Sequence, residues 1–107
     1  MSEKRSHAES GDPLFGIAYY SRAQWPKLLT AAADREVLED TYDEWVAFYN
    51  STVSKLGAAG GTWVRVPIDV DELVAWCVQQ GRTLNGAARA EFTALKTREL
   101  GGGKSEA

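Results

Sequence analysis

The spacing of apolar residues switches between two periods along the chain, and the switches mark its elements. After Asp12-Pro13 the run LFGIAYYS is short, apolar and aromatic, which is the composition of a strand. In SRAQWPKLLTAAADR, Trp25, Leu28, Leu29 and Ala32 recur at helical spacing. If Ser21 caps this helix, Pro26 lies past its first position and removes a backbone donor; the helix then starts nearer Trp25, or its first turn is irregular. The segment TYDEWVAFYNSTVSKLGAAGG carries the clearest stripe: Tyr42, Trp45, Val46, Tyr49, Val53 and Leu56 share one side, and Gly60 or Gly61 can end the helix.

TWVRVPI then alternates, with Val64, Val66 and Ile68 on one face and Trp63, Arg65 and Pro67 on the other. This predicts a strand with one buried face, Trp63 being left partly exposed on the other. Pro67 belongs at the strand's end or pointing off an edge, because it cannot donate to a ladder. DELVAWCVQQ, stopped by Gly81, and NGAARAEFTALKTREL, capped by Asn85, complete the pattern as two helices. The predicted fold is α+β: about four helices packed on a small two-stranded sheet, in the order β-α-α-β-α-α. Aligning YSRAQWPKLL with IDVDELVAWC places Tyr20 on Ile68 and Ser21 on Asp69, which reads as two uses of one strand-to-helix junction.

The stretch PIDVDELVAWC gathers Asp69, Asp71, Glu72, Trp76 and the single cysteine, Cys77. Helix-start chemistry accounts for its acids. Asp69 can accept from unpaired first-turn N–H groups, Glu72 can reach back to the N–H of Asp69, and Asp71 faces the positive end of the helix dipole. The same arrangement recurs at Ser21–Gln24 and Thr41–Glu44. Asp69 and Asp71 do not complete a calcium loop, which needs a longer series of oxygen ligands. Cys77 falls on the Leu73 side of its helix and reads as a buried thiol. As a nucleophile it would need a nearby base, and the single histidine is His7. No catalytic set, cofactor site or metal site is therefore expected.

Composition narrows the picture further. The chain has 107 residues, enough for a single domain of roughly 60–65% buried surface. Residues 1–12 and the tail GGGKSEA (101–107) are polar or glycine-rich and are expected to be disordered, leaving 13–100 as the folded domain. One cysteine excludes an intrachain disulfide, and a free thiol suits a reducing compartment. The N-terminal segment lacks an apolar signal core, and nothing approaches the roughly 20 apolar residues of a membrane helix. The expected location is the cytoplasm, without membrane attachment.

A formal net charge of −3 argues against a nucleic-acid partner, since phosphate binders usually carry a basic stripe. The last two helices could still form a helix-turn-helix, with Arg82, Arg89, Lys96 and Arg98 facing phosphate. The turn between them is long for that motif, and Asn-Gly-Ala-Ala offers few base-reading groups. Against this stands the acidic run from Asp34 to Glu44, which holds Asp34, Glu36, Glu39, Asp40, Asp43 and Glu44 against the single Arg35, a solvated connection or a docking surface for a basic partner.

The blocks QWPKLL, ADREVLEDTYDEW, IDVDELVAWC and NGAARAEF cover most of residues 24–92, and together they resemble a group of short bacterial proteins of unknown function. The resemblance implies a small α+β domain in a bacterial cytoplasm and carries no activity, cofactor or catalytic residue. Two strands leave an open edge, and Trp63 with Arg65 stands on the strand face expected to lie outward. The expected function is therefore a non-enzymatic protein–protein interaction module, its candidate surface Trp63, Arg65, Glu36, Glu39, Asp40 and Asp43. The partner is another protein or a second copy joined through the sheet edge. The alternative is a DNA-binding accessory factor using the final helix pair.

Overall fold

The computed structural model describes residues 15–60 and 62–106, with side chains as far as residue 100. Its elements are β1 (Phe15–Tyr19), α1 (Gln24–Ala31), a 3-10 turn (Arg35–Val37), α2 (Tyr42–Ala58), β2 (Trp63–Pro67), α3 (Val70–Gln80) and α4 (Gly86–Glu106). This is the α+β arrangement and the β-α-α-β-α-α order that the hydrophobic periods predict. The segment 1–12 expected to be disordered lies outside the described residues.

The two strands pair in parallel, from Phe15 beside Trp63 to Tyr19 beside Pro67. Parallel neighbours need a long crossover, and α1 and α2 supply it. The register also makes Tyr20 and Ile68 equivalent, one residue beyond each strand, and both are buried. The strand-to-helix junction read from the sequence is thus a real structural correspondence.

Alternation along the pleat divides the sheet into two faces. Ile17, Tyr19, Trp63 and Arg65 share one; Gly16, Ala18, Val64 and Val66 share the other. α2 covers the first face. Its Tyr49 ring lies 5.3 Å from Tyr19 and meets Trp63 edge-on at 6.5 Å. α4 covers the second, so closely that a Cβ added at Gly16 would fall 1.8 Å from Thr97 Oγ1 and 3.0 Å from Val66 Cγ2. The alternation predicts one covered face, whereas both are covered, because α2 presents rings long enough to reach over Trp63. Trp63 is half-buried as a result.

Trp45 holds α2 in place. Its ring sits 5.3–5.6 Å from those of Tyr19, Tyr20, Trp25, Tyr42 and Tyr49, and is stacked on Trp25. Behind the sheet the core continues through Leu28, Val66, Val70, Leu73, Cys77, Ala88 and Phe92, all buried.

The three predicted helix starts are realised differently. Thr41 and Glu44 form a complete capping box at α2. At α3, Asp69 Oδ1 accepts the Glu72 N–H at 3.1 Å, but the Glu72 carboxylate turns instead to Lys96 at 2.8 Å. At α1 the expected Ser21 cap does not form. The helix begins at Gln24, after Ala23, and no side chain caps it. Pro26 therefore lies in the first turn, where no intrahelical N–H bond is lost, and the Gln24 amide oxygen accepts the Val70 N–H at 2.8 Å. One side chain thus starts a helix in a different part of the chain.

Gly60 and Gly81 adopt positive φ (80° and 65°) where α2 and α3 end, the conformation that lacks a Cβ penalty only for glycine. α4 continues to Glu106 through residues that the sequence reading places outside the folded body. Helix propagation gains one backbone bond per residue fixed, which offsets part of the roughly 1 kcal/mol each glycine costs.

Two stability measurements follow from this packing. Gly16→Ala is expected to cost about 1–3 kcal/mol in urea unfolding by overpacking the β1–α4 contact, and Thr97→Ala in the same chain should restore part of it. Trp45→Ala should cost about 3–5 kcal/mol, and its loss of near-ultraviolet ellipticity should exceed that of Phe48→Ala, since Phe48 is exposed.

Candidate functional site

A groove of about 720 Å³ opens beyond the carboxyl ends of the two strands. Arg65, Val66, Pro67, Ile68 and Asp69 line it in unbroken succession. Arg65–Pro67 are the last residues of β2, and Ile68 and Asp69 follow it, so the groove wraps around the carboxyl end of the strand. Tyr19, Ser21 and Gln24 form its wall at the end of β1, while Glu72 of α3 and Lys96, Glu99 and Leu100 of α4 form the opposite one. Open α/β sheets commonly place ligands in the crevice outside the carboxyl ends of parallel strands.

The direction of the peptide groups follows from one hydrogen bond. The Ile68 N–H donates to the Tyr19 carbonyl at 3.0 Å. Inward and outward residues alternate in a parallel ladder, so Val64 and Val66 also face β1. Trp63 and Arg65 send their N–H and C=O groups outward, and Pro67 has no N–H to offer there. Pro67 points off the edge, as its lack of a donor requires.

Two tyrosines orient Arg65. Its Nε donates to Tyr49 Oη at 3.2 Å, and its guanidinium carbon lies 4.5 Å from the centre of the Tyr19 ring. The Tyr49 hydroxyl is the main influence raising its pKa. Among the described residues no carboxylate pairs with Arg65, although the side chain is exposed. Lys96 differs: it bridges Glu72 at 2.8 Å and Glu99 at 3.3 Å, and the Glu72 bond is the main cause of its raised pKa. The hydroxyls of Tyr19 and Tyr42 meet at 3.3 Å, which raises the Tyr42 pKa. Burial pushes the Tyr20 phenol up to about 12, against the opposing field of Arg89.

Of the interaction and nucleic-acid candidates, Arg65 and Lys96 line the groove, joined by Asp69 and Glu72 of the PIDVDELVAWC stretch; Trp63 lies on the same strand as Arg65 without lining it. The acidic run is placed elsewhere and partly neutralised. Asp40 pairs with Arg35 at 3.2 Å and Asp43 with Arg22 at 2.9 Å, while Glu36 lies exposed in the 3-10 turn and Glu39 is half-buried after it. The four basic candidates also find different surroundings. Arg82 pairs with Glu91, Lys96 with Glu72, and Arg98 lies exposed on α4. Arg89 is turned into the fold, where both its terminal nitrogens reach Asp34, at 2.7 and 2.9 Å.

Asp34 also accepts the Gly86 N–H at 2.9 Å, beside the Asn85 cap of Ala88 at 3.0 Å, so it fixes the start of α4. Tyr19, Ser21, Gln24 and Glu99 were not among the sequence candidates. The alignment of Gln24 with Glu72 was the available signal, since both line the same groove. Comparison of the chain with protein-family models, with curated proteins and with solved structures finds no match. No helix among the described residues is long and apolar enough to cross a membrane.

The Asp34–Arg89 pair yields a pH prediction. The hydrogen bonds from Arg89 hold the Asp34 carboxyl below its usual range. A depressed folded-state pKa contributes stability fully present above the unfolded value of about 4 and lost as pH falls through the folded value. Asp34→Asn should therefore cost about 1.5–3 kcal/mol at neutral pH, the range for hydrogen bonds to charged groups, and flatten the stability curve below pH 4 or so. Urea unfolding from about pH 7 to 2 tests both.

Proposed function

We propose that the protein is a non-enzymatic interaction module of the cytoplasm that takes an extended segment of another protein along the outer edge of β2. The observation carrying this reading is the pair of outward-facing peptide units at Trp63 and Arg65, on a strand edge that is unpaired among the described residues and ends, at Arg65, in the groove. Strand addition to such an edge supplies main-chain hydrogen bonds, while flanking pockets select side chains.

The groups with shifted pKa values are not poised for acid–base work at neutral pH, which fits a binding role. A general acid or base works best with a pKa near the working pH. Here the shifts run away from neutrality: Asp34 downward, and Tyr20, Tyr42, Lys96 and Arg65 upward. The buried thiol of Cys77 suits a reducing compartment and supports the cytoplasmic placement. The DNA-binding alternative loses support from Arg89, which is engaged with Asp34.

Pro67 and Arg65 disfavour self-association through this edge. Two copies paired antiparallel about Arg65 would set like charges opposite each other, and the proline interrupts the donor series. The free protein should sediment as a monomer at high micromolar concentration. In hydrogen exchange the Trp63 and Arg65 amides should exchange faster than those of Val64, Val66 and Ile68. Equal protection of all five, or a dimer abolished by Arg65→Pro, would overturn the reading in favour of an edge already paired.

A further inference from the structure

We infer that the segment bound at β2 carries an aspartate or glutamate side chain opposite Arg65, captured by the guanidinium in a two-bonded pair. The inference rests on the strand-addition reading and names the chemistry of its partner. Three observations carry it. The guanidinium is held in place before any ligand arrives, by the Tyr49 hydroxyl at Nε and by the Tyr19 ring beneath it. The Nε bond leaves the two terminal nitrogens, whose planar fork matches the two oxygens of a carboxylate. Among the described residues, no acid of this chain pairs with that fork, whereas Lys96, the other cation lining the groove, already bridges two.

Position selects a side chain over a chain terminus. Arg65 is the middle residue of β2, and a residue directly opposite on an added strand projects to the same face at cross-strand distance. Beyond Pro67 the groove is bordered by Asp69, Glu72 and Glu99 against Lys96, an acidic excess that repels a terminal carboxylate placed there. The carboxylate consequently belongs at the middle of the strand. Organisation of Arg65 by Tyr19 and Tyr49 also lowers the ordering entropy that a mobile arginine would lose on pairing.

The test uses acetylated and amidated Thr-Val-Glu-Val-Thr and its Gln counterpart as probes, titrated into the full chain by nuclear magnetic resonance. Amide shifts at Trp63 and Arg65 report strand addition; the Glu-to-Gln ratio of affinities reports the carboxylate. The Glu peptide is expected to bind about tenfold or more tightly than the Gln peptide, the size of one charge-assisted hydrogen bond. Arg65→Gln should abolish that preference while leaving weak binding of both peptides. Tyr49→Phe should reduce the preference, as expected of a positioning residue that does not touch the ligand. Equal binding of both peptides at the β2 edge would overturn the carboxylate inference and leave strand addition standing. Binding of neither up to millimolar concentration, or shifts confined to other surfaces, would overturn both. An amide-terminated Gln peptide that regains affinity when given a free C-terminus would reassign the fork to a chain terminus and also overturn the inference.

Discussion

The structure depends on the seating of Trp45 among five aromatic rings. A two-stranded parallel sheet has little stability alone, and it needs cover on both faces. α2 provides one of those covers through side chains, with rings spanning the gap to the strands. Aromatic pairs of this kind contribute about 0.5–1.5 kcal/mol beyond area burial. Because Trp45 touches β1 through Tyr19 and α1 through Trp25, it fixes the crossover against the strand it leaves. Tyr49, one turn further along α2, then reaches Arg65. The ordering of that guanidinium is an outer consequence of the packing inside.

The two faces of the sheet solve the same problem by opposite means. On the α2 side the space is filled by the largest residues; on the α4 side it is removed by the smallest. Gly16 lets Thr97 approach where any Cβ would collide. The hydroxyls of Thr93 and Thr97 donate to the Arg89 and Thr93 carbonyls of their own helix, at 2.8 and 2.7 Å. These threonines can thus be buried against the strands without unmatched donors. The result is a thin sheet clamped from both sides, with its registry set by side-chain volume.

Periodicity made the elements legible, because burial on one side of a helix or strand is written locally in residue spacing. The Thr41–Glu44 capping box was legible for the same reason: both partners lie in one turn. The other two starts had the same local signature but a stronger distant partner. Gln24 turned to Val70, 46 positions away, and Glu72 turned to Lys96. Arg89 read as a surface cation because its partner, Asp34, lies 55 positions earlier in a run of acids that looked uniformly solvated. Local patterns cannot rank such partners, since the ranking depends on which chain segments the fold brings together. The direction of strand pairing was illegible on the same grounds, and with it the groove at the strand ends.

The open edge follows from the number of strands. With two strands in the sheet, each keeps one side unpaired among the described residues, and the crossover through α1 and α2 places β2 parallel to β1. Pro67 shortens the usable edge to the peptide units of Trp63 and Arg65, which limits pairing with another exposed strand. A strand of five residues with so few outward donors gains little specificity from its backbone alone. On the proposed strand-addition reading, discrimination would come from side chains beside it, and the two cations there are not equivalent. Lys96 spends its charge on Glu72 and Glu99, tying α3 to α4, whereas Arg65 is oriented by aromatic groups that hold it without neutralising it. The fold therefore uses one cation to join its own helices and holds the other against Tyr19 and Tyr49, beside the outward-facing peptide units of β2.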